Sequence, residues 1–174
     1  MKTLKFVASV SLFVFSAFAF SGPVSADDPA FLSLSAGAFD LNRQKDQGAE
    51  FRLEYRHDKK FWIFKPFGTV ASVSNGMTFV GAGVLIDAYF GRRWVVTPSF
   101  APTLWRGKTD DLDLGHTIEF RSQLEVAYRL DDRSRVGLSF SHYSNAGLGD
   151  SNPGTESLIL NYSLPISELR NLLK

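Results

Sequence analysis

Residues 116–130 read His-Thr-Ile-Glu-Phe-Arg-Ser-Gln-Leu-Glu-Val-Ala-Tyr-Arg-Leu. Ile118, Phe120, Leu124, Val126, Tyr128 and Leu130 fall on one parity, with Ser122 the only polar interruption. Thr117, Glu119, Arg121, Gln123, Glu125 and Arg129 fall on the other, with Ala127 among them. Successive side chains of a β-strand point to opposite faces, so this segment has one apolar face and one charged face. A face this charged is not the core of a sandwich. It fits solvent, or the polar interior of a barrel whose outside meets lipid.

Seven further segments share the period: about 30–39, 50–57, 63–73, 77–89, 94–104, 134–144 and 154–166. In 50–57, Phe51, Leu53 and Tyr55 oppose Glu50, Arg52, Glu54 and Arg56. The third and fourth segments are rich in Gly and Ala and alternate less cleanly. Several strands reach the roughly ten residues that a tilted strand needs to cross a bilayer. The expected fold is all-β, an eight-stranded antiparallel transmembrane β-barrel, the smallest size of bacterial outer-membrane barrel. Phe61, Trp62, Phe64, Tyr89, Phe90, Trp94, Trp105 and Tyr143 lie near strand ends, where aromatic residues favour membrane interfaces. The alternative is a soluble barrel of lipocalin type, apolar inside and charged outside.

The connections support a membrane setting. If the first strand runs outward, the inner turns are the short, charged Asp58-Lys59-Lys60, Gly91-Arg92-Arg93 and Asp131-Asp132-Arg133. The outer loops are 40–49, the tight hairpin signal Asn75-Gly76, 106–115 and 145–153. The tail after Pro165 reads either as a short amphipathic helix on the inner side or as a frayed end.

Residues 1–26 read as a secretory signal. Lys2 and Lys5 lead the apolar run Phe6 to Phe20, and Val24-Ser25-Ala26 has the small-residue pattern of a cleavage site. An uncleaved anchor fits less well, because the apolar run is short and ends in Gly22-Pro23. The mature domain is then 27–174. Cleavage lowers Lys plus Arg from 19 to 17 against 18 Asp plus Glu, a formal net charge of −1. That balance argues against a nucleic-acid partner. With no cysteine, disulfides and thiolate chemistry are excluded. No His or carboxylate cluster has metal-ligand spacing and no phosphate loop is present, so no metal or cofactor is expected.

One cluster breaks the apolar face with a purpose. His142 and Ser144 share the parity of Val136, Leu138 and Phe140. Glu156 shares that of Leu158, Leu160, Tyr162 and Leu164. A hairpin centred on Gly149 pairs His142 with Glu156, since each lies seven residues from it. Glu156 is then placed to orient the imidazole as a base, with the Ser144 hydroxyl beside it as nucleophile, the logic of acyl transfer. Asn145 follows the nucleophile and is expected to stabilise an oxyanion through its amide, with the N–H groups of Ala146 and Gly147 assisting. Polar groups on a lipid-facing wall are costly without a function, and a lipid substrate supplies one.

The block His142-Tyr143-Ser144-Asn145-Ala146-Gly147-Leu148, then Glu156-Ser157, then the closing strand to Leu164-Pro165-Ile166, resembles the PagL family of outer-membrane lipid A 3-O-deacylases. The match is dense over the last two strands; elsewhere it rests on length, signal and alternation. The resemblance implies an eight-stranded barrel with its site on the outside of the wall. It implies metal-independent hydrolysis of the ester-linked acyl chain at the 3 position of lipid A, with lipopolysaccharide as substrate and the outer membrane as location. By motif position it implies Ser144 as nucleophile, His142 as base, Glu156 as its orienting acid and Asn145 in the oxyanion site. The end Ile166 to Lys174 departs from the family pattern, which tends to stop near the Pro-Ile.

Two other functions stay open: a non-enzymatic adhesin or structural barrel, and a soluble lipocalin-like carrier. A homodimer is also left open. His57 reads as an inner-turn residue, and His116, Arg106 and Lys108 as solvated groups at the outer rim.

Overall fold

The computed structural model describes residues 28–107 and 112–172. In chain order the elements are β1 (Phe31–Phe39), β2 (Gly48–Arg56), β3 (Lys65–Val73), β4 (Thr78–Leu85), β5 (Ala88–Phe90), β6 (Trp94–Arg106), β7 (Ile118–Arg129), β8 (Arg135–Ser144), β9 (Thr155–Pro165) and the helix α1 (Ile166–Leu172). The expected signal segment lies outside the described residues, as does Lys108.

β4 and β5 are one strand interrupted at Ile86 and Asp87. Both pair with β6, and the register runs without a slip from Thr78 opposite Arg106 to Ala88 opposite Val96. The interruption has a local cause. Ile86 donates its N–H to the Pro98 carbonyl at 3.1 Å, and Pro98 has no N–H to give back. Each strand pairs antiparallel with its neighbour in sequence, β1 pairs with β9, and the β4–β6 pairing closes the ring. The barrel is therefore eight-stranded and antiparallel, as the alternation predicts. The third strand starts later than expected, at Lys65, because Phe61 and Phe64 bridge across a small turn of their own.

The wall carries its apolar side chains outward. On β7, Glu119, Arg121, Gln123 and Glu125 are buried in the lumen, while Leu124 and Val126 are exposed. The same holds around the ring for Leu34, Phe51, Val80, Leu104, Leu138, Phe140 and Leu160. In water such a continuous apolar belt is unfavourable; against lipid chains it is matched. That inversion rules out the soluble carrier, whose charges would face out. No helix among the described residues is long and apolar enough to cross a membrane, so any crossing falls to the strands.

The lumen is filled by ion pairs in layers. Near mid-height Arg121 donates to Glu54 at 2.7 Å, and Glu54 also accepts from Arg56 at 2.8 Å. Arg56 reaches Glu125 at 2.6 Å. Toward the outer end, Arg52 bonds Glu50, Gln123 and the Tyr143 hydroxyl. At the inner mouth, Arg135 and Lys65 converge on Asp28 and Asp87. Buried charges are costly unless paired, and these ion pairs offset one another across the barrel, whereas neither carboxylate oxygen of the buried Glu119 has a hydrogen-bond partner among the described residues.

The outer mouth is different. Phe39, Met77, Phe79, Leu112, Leu114 and Tyr143 form an apolar plug. Tyr143 is therefore not the interface aromatic its position near a strand end suggests: its parity turns it inward, where its ring lies 4.6 Å from that of Phe79. The tail forms the helix α1, tied back by the Ile166 N–H to the Ala30 carbonyl at 2.8 Å.

Candidate active site

β8 and β9 are paired in the register expected from the hairpin, with His142 opposite Glu156. The imidazole Nδ1 lies 3.0 Å from Glu156 Oε1. Both side chains are on the outer face of the wall, the imidazole 45% exposed and the carboxylate 16%. Alternation alone puts them there, because His142 follows Leu138 and Phe140 on the lipid side. The bond fixes the tautomer: Nδ1 carries the proton toward the carboxylate, so Nε2 is the nitrogen free to accept one.

Ser144 stands two residues along on the same face, at the last position of β8. Among the described residues its hydroxyl bonds Asn152 and the Ala146 N–H rather than His142. The Asn152 amide meets it through its nitrogen at 3.0 Å and its oxygen at 3.2 Å. The Ala146 N–H donates to it at 3.2 Å. Positive φ at Ala146 (54°) and Gly147 (82°) turns the chain sharply after Ser144 and aims that N–H back at the oxygen. A rotation about χ1 carries a serine oxygen between such partners.

Asn145 takes another place from the one expected. Its side chain is fully buried, on the inward parity. Its Nδ2 donates to the carbonyls of Leu114 at 2.9 Å and Ser151 at 2.7 Å, and its Oδ1 accepts from the Gly147 N–H at 2.9 Å. Its backbone N–H goes to Asn152 Oδ1 at 3.0 Å. Every donor of the residue is engaged in this arrangement, none of them at the Ser144 oxygen. Asn145 braces the 145–154 loop instead.

Three residues of the site escaped the sequence reading. Asn152 is an exposed asparagine in a polar loop, with no signal short of the folded loop itself. Gly154 precedes Thr155 and has a φ of 65°. A Cβ there would come within 3.1 Å of His142 Cε1, so the glycine leaves room for the ring. Ser122 lies directly opposite His142 on β7. Its break in the apolar parity was visible, and the register gives the reason: Ser122, His142 and Glu156 form one polar row across three strands.

The other histidines are local. His57 Nδ1 accepts from the Lys59 N–H at 2.9 Å in an inner turn. His116 Nδ1 accepts from the Ile118 N–H at 3.0 Å and caps the start of β7. Arg106 is exposed at the outer rim.

Fold and site together define a class: a small membrane barrel that carries a polar cluster of His142, Ser144 and Glu156 on the lipid side of its wall. Within that class the chain belongs to the PagL family, described as lipid A 3-O-deacylase, whose model matches residues 30–165. It is 31% identical over 88 residues to the lipid A deacylase PagL of Pseudomonas aeruginosa, which covers 51% of this chain and 42% of that protein. It is 28% identical over 74 residues to the lipid A deacylase PagL of Bordetella bronchiseptica, covering 42% of each. The aligned stretches thus span less than half the length of these relatives. A solved structure described as the outer membrane enzyme PagL shares the fold, with a TM-score of 0.64 at 21% identity, over 78% of this chain and 99% of that one.

Proposed function

We propose that this chain is an outer-membrane esterase that removes the acyl chain at the 3 position of lipid A in lipopolysaccharide. The observation that carries this reading is the 3.0 Å contact of His142 with Glu156, on the lipid side of the wall and beside Ser144. Family membership supplies the substrate class. The lipid-facing position explains why the site is not in the lumen: an acyl chain in the leaflet reaches the wall by lateral diffusion, and the lumen is filled.

In this mechanism the Ser144 hydroxyl turns from Asn152 toward His142 Nε2 and gives up its proton as its oxygen attacks the ester carbonyl. Glu156 holds the imidazolium that forms. The Ala146 N–H and the Asn152 Nδ2 group, both already at the Ser144 oxygen, are the donors placed for the oxyanion. Collapse expels the sugar hydroxyl, which takes the proton from His142. Water then attacks the acyl-serine, with His142 again as base, and releases the fatty acid.

Mass spectrometry of lipid A from cells expressing the wild type and Ser144→Ala tests the reading. The expected result is loss of one hydroxyacyl chain with the wild type only. Intact lipid A with a folded wild-type barrel favours the non-enzymatic alternative, and equal deacylation by both proteins removes Ser144 from the chemistry.

A further inference from the structure

The inner end of the barrel carries an excess of cations. Residues 57–60, 91–93 and 129–133 hold Lys59, Lys60, Arg92, Arg93, Arg129 and Arg133 against Asp58, Asp131 and Asp132. The densest part is a cleft of about 420 Å³ between the β5–β6 turn and the β7–β8 turn. It is lined by Arg92, Arg93, Arg129, Leu130 and Asp131. Arg93 spans it, donating through Nη1 to the Arg129 carbonyl at 3.3 Å and through Nη2 to Asp131 at 2.5 Å. Three arginines against one aspartate give the lining residues a net positive formal charge.

Next to the cleft, toward the bilayer centre, Trp94 and Tyr128 are register partners with rings 5.3 Å apart, edge to face. Both are exposed on the lipid side of the wall. Tryptophan and tyrosine settle at headgroup depth, so the aromatic pair places the arginines level with lipid phosphates. Guanidinium groups bind phosphate oxygens with paired, charge-assisted hydrogen bonds. A soluble anion would use the arginines but not the aromatic shelf; a phospholipid uses both.

We propose that this cleft binds the headgroup of an anionic phospholipid in the inner leaflet, whose chains lie over Trp94 and Tyr128. The site is separate from Ser144. On β7, Phe120 faces Ser144 and Tyr128 faces Trp94, so eight residues of strand, roughly 27 Å, lie between the two ends. The bound lipid is therefore an anchor of the inner rim and not a substrate. It shares with the proposed function only the membrane setting, and deacylation by Ser144 stands or falls independently.

The test measures association of spin-labelled phosphatidylglycerol and spin-labelled phosphatidylcholine with the full barrel in phosphatidylcholine vesicles. The wild type is expected to prefer phosphatidylglycerol, and Arg92→Gln with Arg129→Gln, which keeps the Arg93–Asp131 pair, to lose roughly fivefold per charge removed. Heat-modifiable gel mobility checks folding. Should the double variant fail to fold, Arg92→Gln alone carries the test, with one step of loss expected. Lys59→Gln with Lys60→Gln, in the adjacent turn, is expected to keep the preference. No preference in the wild type, an unchanged preference in the arginine variant, or an equal loss in the lysine variant would each overturn the cleft as the site.

Discussion

Asn152 holds the Ser144 hydroxyl from the far side of the 145–154 loop, its Nδ2 3.0 Å from the serine oxygen. The same side chain accepts the Asn145 N–H through Oδ1 at 3.0 Å. One exposed amide thus sets both the position of the Ser144 hydroxyl and the start of the turn behind it. Asn152→Asp keeps the acceptor and loses the donor, while Asn152→Ala loses both. If Nδ2 serves the oxyanion, both variants lose about 10²–10³-fold in kcat with the barrel intact. Deacylation within twofold of wild type by Asn152→Asp would return that role to the backbone alone.

In the proposed mechanism Glu156 acts through His142, which it contacts at 3.0 Å. Glu156→Gln preserves the shape but removes the charge that stabilises an imidazolium and permits the wrong tautomer. Its expected cost is up to about 10⁴-fold in kcat, with little change in KM. Rates on purified lipopolysaccharide in detergent, with folding checked by gel mobility, decide it; a fall in folded yield that accounts for all the lost activity would make Glu156 a structural residue.

Asn145→Ala separates bracing from chemistry. It strips partners from the Leu114 and Ser151 carbonyls and from the Gly147 N–H, and the buried Leu114 carbonyl left unsatisfied costs about 1–3 kcal/mol. The 145–154 loop should become sensitive to protease before the barrel does. A variant with wild-type protease resistance and abolished activity would restore Asn145 to the chemistry.

Glu54 is the hub of the lumen, since Arg56 and Arg121 both depend on it. Glu54→Ala leaves the buried Arg121 guanidinium without its carboxylate and Arg56 with Glu125 alone, and should destabilise the barrel by about 3–5 kcal/mol. Urea unfolding in lipid vesicles measures this, and Glu54→Gln, which retains the hydrogen-bond acceptor, should lose less. Equal midpoints for Glu54→Ala and wild type would mean the ion-pair layers contribute little.

The parity of 116–130 divided the wall into an apolar and a charged face, because period two is a local property, but a soluble barrel reads the same way; the burial of Glu119 and Arg121 and the exposure of Leu124 and Val126 give the orientation. The count of eight and the pairing of His142 with Glu156 followed from strand length and hairpin symmetry. Long-range geometry was not legible. That Arg121 finds Glu54 depends on which strands face each other across the ring, and nothing near either residue states it. The break at Ile86 and Asp87 depends on Pro98 across the pair. Tyr143 was placed by its nearness to a strand end when its parity already turned it inward. Asn145 was read from its neighbour in sequence, whereas its partners Leu114 and Ser151 come from two different outer loops. Asn152 shows the same limit, since only the folded loop brings it to Ser144.

The filled lumen also bears on the cell that carries the protein. Arg52, Arg56, Arg121 and Arg135 with their carboxylates, and the plug of Phe39, Phe79 and Tyr143 above them, occupy the space where a larger barrel would conduct. Among the described residues this filling narrows the path that ions and small solutes would take along the barrel axis. Many copies can therefore accumulate at less cost to the permeability barrier of the membrane, and exchange with the surroundings shifts to the outside of the wall.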